Sequence, residues 1–551
     1  MKKNVVLSAV LVVAAMSPAA AQQPPTVAPV AQATPFRTTG PRVDLTLDDA
    51  VARARDKNID IAVARITPRL SDFSLAALNA AYRPNITSTA FNRSTTTAVT
   101  NQTQGGGTSD SLHTGTVSWQ GGFAQNMKWH GGSWNANWTN SRIDSSNLFA
   151  TRNPTYNSGL TASVTQPLLK GWRIDATRAS LATTALSQKN DEISLQTTSA
   201  NTVANTRNAY WDLVYAIQAV EAAQNSLDIS NKLVSDNRAR VEIGTLAPLD
   251  VRTSEAEAAN RRLTLVQAQA TVRTSELALK RLIVSGTEDP LWTSSLNPTD
   301  RPPATPEPLN VDAAVARALR ERTDLAQSKN SLTISDINLR NQVELTRPQL
   351  DIVGTYGLSG IGGTQFDRGG LGGAIIGTLP SNYFDALSTL GRFHLPTWTV
   401  QANFSVPLGQ SAAQANVARS KLSLEQSQAN LKALELQIAT DVQNAAFNVQ
   451  SSLESVQAAQ VARQLSQEKL NATQSKLDVG MSTNYEVVQA QRDFADAQNN
   501  ELRAVLNYRK ALVNFETVQT VGSRGVGATV GSGTGGTGTT TTNAGGGGGG
   551  L

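Results

Sequence analysis

The chain lacks cysteine altogether and has only three histidines among its 551 residues, His113, His130 and His394. Without cysteine there are no disulfides, no thiolate metal ligands and no thiol nucleophile. The histidines lie in separate Gly-rich or Trp-rich stretches without the spacing of paired metal ligands, and no set of nucleophile, base and orienting residue is recognisable. We therefore predict a protein that is not an enzyme and that binds no metal and no cofactor.

Long apolar runs are also scarce. One run, Val5–Ala15, follows Lys2 and Lys3 and precedes the small residues of 17–21. A basic start, a short apolar core and an A-x-A end are typical of a secretory signal peptide, and about 11 apolar residues are too few to span roughly 30 Å of hydrocarbon. We predict a signal peptide over residues 1–21. No later run suits a transmembrane helix, so entry into a membrane would require a closed β-barrel.

Neither sign of charge is in large excess. The 48 lysines and arginines face 43 aspartates and glutamates, for a net charge of +5. No basic block stands out that would form an electrostatic surface for nucleic acid. We predict no nucleic-acid partner.

Glycine and proline are missing from two long stretches, Trp172–Ile243 and Gln410–Val479. At about 1.5 Å per residue each predicts a helix on the order of 100 Å long, far beyond the usual length of about 11–12 residues. Shorter helices are predicted over Leu47–Ala81, Pro248–Val284, Val311–Leu345 and Thr483–Val518. Pro68 should kink or split the first of these four.

The two halves of the chain repeat each other. Val51–Ala54 recurs as Val315–Ala318 and Arg83-Pro84 as Arg347-Pro348, at one constant spacing. Each half has the order helix, β segments, very long helix, tight turn, shorter helix. The predicted strands are Asn85–Thr97, Gly115–Lys128, Ser133–Arg142, Tyr156–Leu168, Leu350–Leu358 and Thr397–Leu408. Residues 115–142 read as a hairpin that the second half lacks, and whether it joins a barrel formed by the other strands or decorates it stays open.

These patterns predict a mainly α protein with membrane β-barrel strands, built from two internal repeats. The first repeat covers residues 45–284 and the second 309–520. We expect a flexible Pro-rich segment at 22–44, an extended Pro-rich linker at 285–308 and a disordered Gly/Thr-rich tail at 521–551.

Apolar residues on the helix after Pro248 fall on two seams rather than one. One seam includes Leu265 and Leu279, and the other includes Leu263, Val266 and Leu277. A single seam is typical of a two-stranded coiled coil, whereas two flanking seams indicate a helix with a neighbour on each side, as in helices that close into a cylinder. A closed cylinder of helices would enclose a pore. The alternative, a structural periplasmic coiled-coil protein without a pore, stays open.

Several short motifs, in order and partly duplicated, carry a family resemblance. They are Leu45–Ala50, Tyr82–Pro84, Val164–Gly171 and the paired turns Gly244–Val251 and Gly480–Val487. The chain resembles the TolC-like outer-membrane efflux proteins. The resemblance implies a homotrimer that shares one antiparallel β-barrel in outer-membrane lipid and one helical α-barrel reaching into the periplasm. It also implies a passive duct of a tripartite efflux or type I secretion system, with a periplasmic adaptor (membrane fusion) protein and an inner-membrane transporter as partners.

The same resemblance assigns roles to the two turns. The tip turns that would dock the adaptor are Gly244, Thr245, Leu246, Gly480, Met481 and Ser482. The residues of a periplasmic gate would be Asp250, Glu486 and Gln489. Family members have an acid at the position of Gln489 and an arginine at that of Ser482, so their entrance lock is not reproduced. Acids favoured at helix N-termini are the alternative explanation for Asp250 and Glu486.

Tryptophan is concentrated in or beside the predicted strands. The residues concerned are Trp119, Trp129, Trp134, Trp138 and Trp398. Tryptophan is enriched where a barrel wall meets the membrane–water interface, which makes these five candidate membrane-interface residues. Ordinary packing between strands is the alternative.

Overall fold

The structure, a computed structural model, describes residues 40–101, 104–107, 109–300, 308–370, 372–406 and 411–522. The predicted signal peptide and all but the first two residues of the predicted tail lie outside the described residues. None of the described helices is both long enough and apolar enough to cross a membrane.

The first half of the chain contains helices on both sides of four strands. Its elements are β1 (Arg42–Leu45), α1 (Leu47–Lys57), α2 (Ile59–Ala64), α3 (Ile66–Ala80), β2 (Asn85–Ala98), β3 (Ser111–Asn126), β4 (Ser133–Ser145), β5 (Thr155–Pro167), α4 (Ala176–Glu242) and α5 (Pro248–Ile283). A short connection follows, with α6 (Pro290–Thr293) and β6 (Ser295–Pro298).

The second half repeats this order with fewer long strands. Its elements are α7 (Val311–Glu321), α8 (Thr323–Leu345), β7 (Gln349–Gly362), β8 (Gln365–Arg368), β9 (Ile375–Leu379), α9 (Tyr383–Gly391), β10 (Pro396–Ser405), α10 (Ala412–Asp478) and α11 (Asn484–Val518). Strands β8 and β9 and helix α9 were not anticipated from the sequence. The predicted fold class, long helices with strands in two repeats, is confirmed.

The two longest helices set the dimensions of the molecule. Helices α4 and α10 have 67 residues each, which corresponds to about 100 Å at 1.5 Å per residue. Helix α4 packs against α5 and, nearer the strands, against α1, α2 and α3; α10 packs in the same way against α11, α7 and α8. Each long helix therefore has a second rod beside it, made of shorter helices stacked end to end.

The predicted helices before the strands are divided at equivalent places in the two repeats. One break lies at Asn58, whose side chain accepts the Ile61 N–H and donates to the Leu282 carbonyl. The equivalent break lies at Arg322, which is buried and paired with acids. A further break at Arg65 precedes Pro68, which occupies the first turn of α3, where its missing N–H costs little. The predicted split near Pro68 is thus observed, and the two other breaks were missed.

Six strands form one antiparallel sheet in the order β10-β7-β5-β4-β3-β2. The hairpin β3–β4 lies inside this sheet, paired with β2 on one side and with β5 on the other. The extra hairpin therefore belongs to the sheet of the single chain. The two edge strands, β2 and β10, are solvent-exposed along their whole length in the single chain.

A second, two-stranded sheet ties the start of the described chain to the connection between the repeats. Strand β1 pairs with β6 in parallel, from Arg42 with Ser295 to Leu45 with Pro298. Of the expected flexible segment at 22–44, residues 22–39 lie outside the described residues, and 42–44 belong to β1. Within the expected extended linker at 285–308, residues 301–307 lie outside the described residues, and the rest contains the short helix α6 and the extended strand β6. Short-range patterns missed the pairing because each strand has four residues and its partner is about 250 positions away.

Tyr210 lies at the centre of the core formed by β1, α1, α4, α5 and β6. Its ring is fully buried, and its hydroxyl bonds the Leu45 carbonyl at 3.0 Å and accepts the Asp300 N–H at 3.1 Å. Burial is the main cause that raises the pKa of Tyr210 to about 12. One hydroxyl thus links the long helix to both chain segments that flank the first repeat.

Replacing Tyr210 by phenylalanine should lower the free energy of unfolding by about 1–2 kcal/mol, because partly buried backbone groups lose their partner. Thermal unfolding in detergent measures the change. Tyr215→Phe is the matched control, since that hydroxyl bonds only the exposed Arg503 side chain, and should cost less than about 0.5 kcal/mol. Equal losses in the two variants would contradict this role of Tyr210.

Candidate functional site

The register of the large sheet sorts its side chains onto two chemically different faces. Directly opposed residues share a face, and one continuous row runs Ser88, Gly121, Trp138, Leu160, Leu358 and Pro396. The face containing this row, here called the apolar face, also carries Ile86, Val117, Trp119, Phe123, Trp134, Val164, Ile352, Tyr356, Trp398, Val400 and Phe404. Several of these are strongly exposed in the single chain, Ile86 at 78% and Val400 at 68%.

The opposite face, here called the polar face, is made mainly of small hydroxyl and amide side chains. Its members include Thr87, Thr89, Ser118, Gln120, Asn135, Asn137, Thr139, Thr161, Ser163, Thr355, Thr399, Gln401 and Asn403. Apolar exceptions are few, with Phe91 and Val353 among them. A sheet with one apolar and one hydrated face is the pattern of a membrane barrel wall.

Four of the five tryptophans proposed as interface residues lie on the apolar face. Trp119 and Trp138 make an edge-to-face contact with ring centroids 4.9 Å apart, and Trp134 lies 4.7 Å from Phe123. The indole N–H groups of Trp119 and Trp138 donate to the hydroxyls of Ser88 and Ser158. Trp129 differs, because it lies in the turn between β3 and β4, exposed at the helical end of the sheet.

The two glycine turns end the long helices in the same way. Gly244 and Gly480 each have φ of +77°, which is the left-handed conformation that suits a residue without Cβ. After α4, the N–H of Gly244 bonds the Val241 carbonyl and that of Thr245 bonds the Arg240 carbonyl. After α10, the N–H of Gly480 bonds the carbonyl three residues before it and that of Met481 bonds the carbonyl five residues before it, as after α4. Both turns are therefore Schellman caps, which reverse the chain about 100 Å from the sheet.

The turns expose large apolar side chains, of which the sequence analysis named only Met481. Ile243, Leu249, Val479 and Tyr485 are exposed, as is Met481 at 76%. All five lie within a few residues of Gly244 or Gly480. We call this set the tip patch. Exposed apolar residues grouped in this way are typical of a surface that another protein covers.

The structure places the three candidate gate residues near one another without bonding them together. Glu486 is the third residue of α11, and its carboxylate accepts from Ser482 and from the Thr483 N–H as part of a capping box. The Ser482 hydroxyl is the main cause that lowers the pKa of Glu486. The carbonyl of Asp250 accepts from Asn484 at 3.2 Å, whereas Gln489 donates to Asp493. Capping therefore explains the acid at position 486 by itself.

Sequence reasoning missed a buried polar cluster on the helices next to the two turns. Asn237 of α4 donates to Ser254 of α5 at 2.7 Å and to Asn484 of α11 at 2.8 Å, and Asn484 donates to Ser254 at 3.1 Å. All three side chains are buried. One signal was visible, since Ser254 and Arg261 occupy positions of the apolar seam through Leu265 where an apolar residue is expected.

A cluster of charged side chains extends the contact between α5 and α11 by one helical turn. Glu257 of α5 is buried and accepts from Arg261 at 2.8 Å and from Arg492 of α11 at 2.9 Å. Burial opposes its ionisation, but hydrogen bonds and positive charge from Arg492 and Arg261 outweigh burial and hold the pKa of Glu257 below its usual value. Arg240 of α4 also pairs with Asp478 of α10 at 2.9 Å. We call Asn237, Ser254, Glu257, Asn484 and Arg492 the tip cluster, which joins the two helix pairs of one chain.

Comparison with known proteins identifies the family. The family model described as outer membrane efflux protein matches residues 131–284 and 348–518, and the chain belongs to this family. The matched segments begin after β3, so they leave out β2 and β3. No curated protein sequence matches the chain significantly.

Solved structures of outer-membrane channels share the fold. The chain is similar to the CmeC channel of Campylobacter jejuni (15% identity, 86% of this chain and 85% of that chain covered, TM-score 0.58). It is also similar to VceC of Vibrio cholerae (12%, 86% and 96%, TM-score 0.60) and to the open state of MtrE of Neisseria gonorrhoeae (15%, 86% and 89%, TM-score 0.58). The chain is thus an outer-membrane efflux family protein with a channel fold. The family consists of channels rather than enzymes, which confirms the prediction that the chain is not an enzyme.

The ion pairs of Glu257 make a prediction about pH. Because its pKa is lowered on folding, the carboxylate stabilises the folded state above the ordinary value of 4.5, and this contribution is lost as the pH falls through the lower folded value. At pH 7, Glu257→Gln should lower the free energy of unfolding of the region around the tip cluster by about 2 kcal/mol, the usual contribution of hydrogen bonds to a charged group.

The difference in the free energy of unfolding between the original protein and Glu257→Gln should shrink as the pH falls below 4.5. Hydrogen exchange of the backbone amides of α5 and α11 measures this difference. The exposed Glu468, which accepts a single bond from Gln464, provides the control Glu468→Gln, with little effect at pH 7. If Glu257→Gln lowers the free energy of unfolding by the same amount from pH 7 to pH 3, the stabilising role of the Glu257 ion pairs is contradicted.

Proposed function

We propose that this protein is the outer-membrane channel of a tripartite efflux or type I secretion system. It acts as a passive homotrimeric duct through which substrates cross the outer membrane and part of the periplasm. The observation that carries the proposal is the continuity of one sheet, apolar on one face and polar on the other, with helices of about 100 Å. The strands would lie in outer-membrane lipid, and the helices would extend into the periplasm.

Assembly from several copies is supported by the second apolar seam of α5. Leu265 and Leu279 of the first seam are buried within the chain, whereas Leu263, Val266 and Leu277 of the second seam are at least half exposed. Helix α10 likewise exposes Leu436, Phe447 and Leu465. These residues are available to pack against a neighbouring copy, which is the arrangement that turns helix pairs into a closed wall.

The tip patch supports docking of a periplasmic adaptor, which would connect the duct to an inner-membrane transporter. The docking turns are Gly244, Thr245 and Leu246 in the first repeat and Gly480, Met481 and Ser482 in the second, with the exposed side chains of the tip patch around them. Such a contact buries apolar surface that otherwise faces water, which favours association. Energy for transport would come from the transporter, because the family is one of channels.

The acids near the turns would line the periplasmic entrance, with Asp250 and Glu486 contributing negative charge from each copy and Gln489 one turn further in. The tip cluster would hold the two helix pairs of each copy together at this entrance. Opening would therefore move the pairs as one unit or break the bonds of Asn484 and Arg492 across them.

Reconstitution in planar bilayers tests the duct. The protein extracted in detergent should have the mass of a trimer and give discrete conductance steps. Asp250→Asn combined with Glu486→Gln should reduce the preference for cations over anions, because negative charge attracts cations to the entrance. Glutamine at 486 keeps the capping bond, and Glu288→Gln, on an exposed residue before α6, is the control. A water-soluble monomer without conductance would favour the structural coiled-coil alternative.

Met481→Asp tests the docking surface. A charge at the tip patch should abolish export in cells, measured as drug susceptibility of a strain that depends on this channel, while the bilayer conductance of the purified trimer stays unchanged. Met481→Leu keeps an apolar side chain and should retain export. Unchanged export by Met481→Asp would contradict docking at this turn.

A further inference from the structure

The position of the β3–β4 hairpin determines how many strands any ring built from this sheet must contain. Strand β3 pairs with β2 without interruption from Asn85–Ala124 to Ala98–Ser111, and with β4 from Asn126–Ser133 to Thr114–Ser145. Strand β4 pairs in turn with β5. The hairpin therefore separates β2 from β5, and a ring that preserves this pairing passes through all six strands.

The two edges of the sheet are complementary to each other. Because the sheet has an even number of strands and every neighbouring pair is antiparallel, its edge strands run in opposite directions. Strand β2 starts at the helical end, just after α3, and β10 finishes there, just before α10. An edge β2 can therefore accept β10 of a second copy as an antiparallel neighbour. In lipid, unpaired backbone groups at these edges would each cost several kcal/mol.

We propose that three copies close their sheets into a single barrel of eighteen strands, six from each copy, with β2 of one copy paired to β10 of the next. This inference rests on the trimer of the proposed function and deepens it, since it assigns the interface between copies and the width of the pore.

The strand ends already have the stagger that such a barrel needs. One ladder row runs from Asn85 at the helical end of β2 through the sheet to Thr399 of β10. The helical ends of the later strands fall progressively below this row, by two residues at β3 and β4, four at β5 and six at β7 and β10. This is about one residue per strand.

A stagger of one residue per strand corresponds to a strand tilt of about 35°, for a rise of about 3.3 Å and a strand spacing of about 4.8 Å. Membrane barrels have tilts of about 35–45°, so the sheet closes with ordinary geometry when the strand ends of neighbouring copies are level. Level ends place Asn85 of one copy opposite Ser405 of the next, and hence Thr89 opposite Gln401.

Eighteen strands at this tilt give a backbone diameter of about 34 Å, which is half as wide again as a ring of four strands per copy. Barrels of this size leave an aqueous channel. Here the polar face, with its threonine, serine and asparagine side chains, would line the channel, and the apolar face would contact lipid. The barrel would therefore admit bulky hydrated solutes.

Disulfide cross-linking tests the interface without background, because the chain has no cysteine. Thr89→Cys combined with Gln401→Cys places both thiols on the polar face, and oxidation should give linked trimers on non-reducing gels. Pairing Thr87→Cys or Phe91→Cys with Gln401→Cys covers a register shift of two residues in either direction. The matched control is Thr89→Cys with Thr161→Cys, which share a face but lie three strands and two residues apart, about 16 Å, and should not link.

Two further measurements separate this inference from the proposed function. If the trimer forms and conducts, but the three edge pairs fail to link and the Thr89–Thr161 pair links within one chain, the eighteen-stranded barrel is overturned while the channel stands. If neither a trimer nor conductance is found, both proposals fall. A linked trimer that also admits larger poly(ethylene glycol) chains into the barrel side of the pore than a ring of four strands per copy, about 23 Å across, could supports the wide barrel.

Discussion

Backbone hydrogen bonding at the edges of the six-stranded sheet is the constraint on which the architecture depends. Inside one chain, β2 and β10 each have a strand partner on one side only. In water such edges are solvated, but in lipid they are not, and a sheet can cross a membrane only when its edges are paired. Oligomerisation is therefore a requirement of the fold in its proposed setting rather than an addition to a finished protomer.

The helices also leave a surface for a neighbouring copy, in their case apolar side chains rather than backbone groups. Each long helix buries one side against helices of its own chain, in two repeat-related cores that use Ala50 and Ala54 in one half and Ala314 and Ala318 in the other. Small residues at these positions let the short helices approach the long ones closely. The apolar residues that remain exposed face outward, where a neighbouring copy would cover them. The sheet, through its edge strands, and the helices, through these exposed residues, therefore both leave surfaces that a neighbouring copy would cover.

The tip combines local and long-range interactions. The caps at Gly244 and Gly480 are local and need only a residue that tolerates positive φ. The tip cluster is long-range, because Asn237, Ser254 and Asn484 come from three helices. Buried amides and a buried carboxylate do not add much net stability compared with apolar packing, but they are costly when unpaired. They therefore favour one register between the two helix pairs, and the exposed tip patch is held in a defined position.

Much of the fold follows from the sequence alone. The lengths of α4 and α10, the turns between helices, the approximate strand positions and the two repeats follow from the placement of glycine, proline and apolar residues, because these act over a few neighbours. The sequence also placed the strand tryptophans within or beside strands, and the alternation along the six strands of the large sheet determined that each of them has two unlike faces.

Only the tertiary structure decided which strands are neighbours, that the β3–β4 hairpin lies inside the sheet, that β1 pairs with β6 and that Glu257 meets Arg492. These are choices of partner between residues far apart in the chain. Local propensity carries no information about such choices, since many strands and charged side chains could pair equally well until the whole sheet and the helix register are formed.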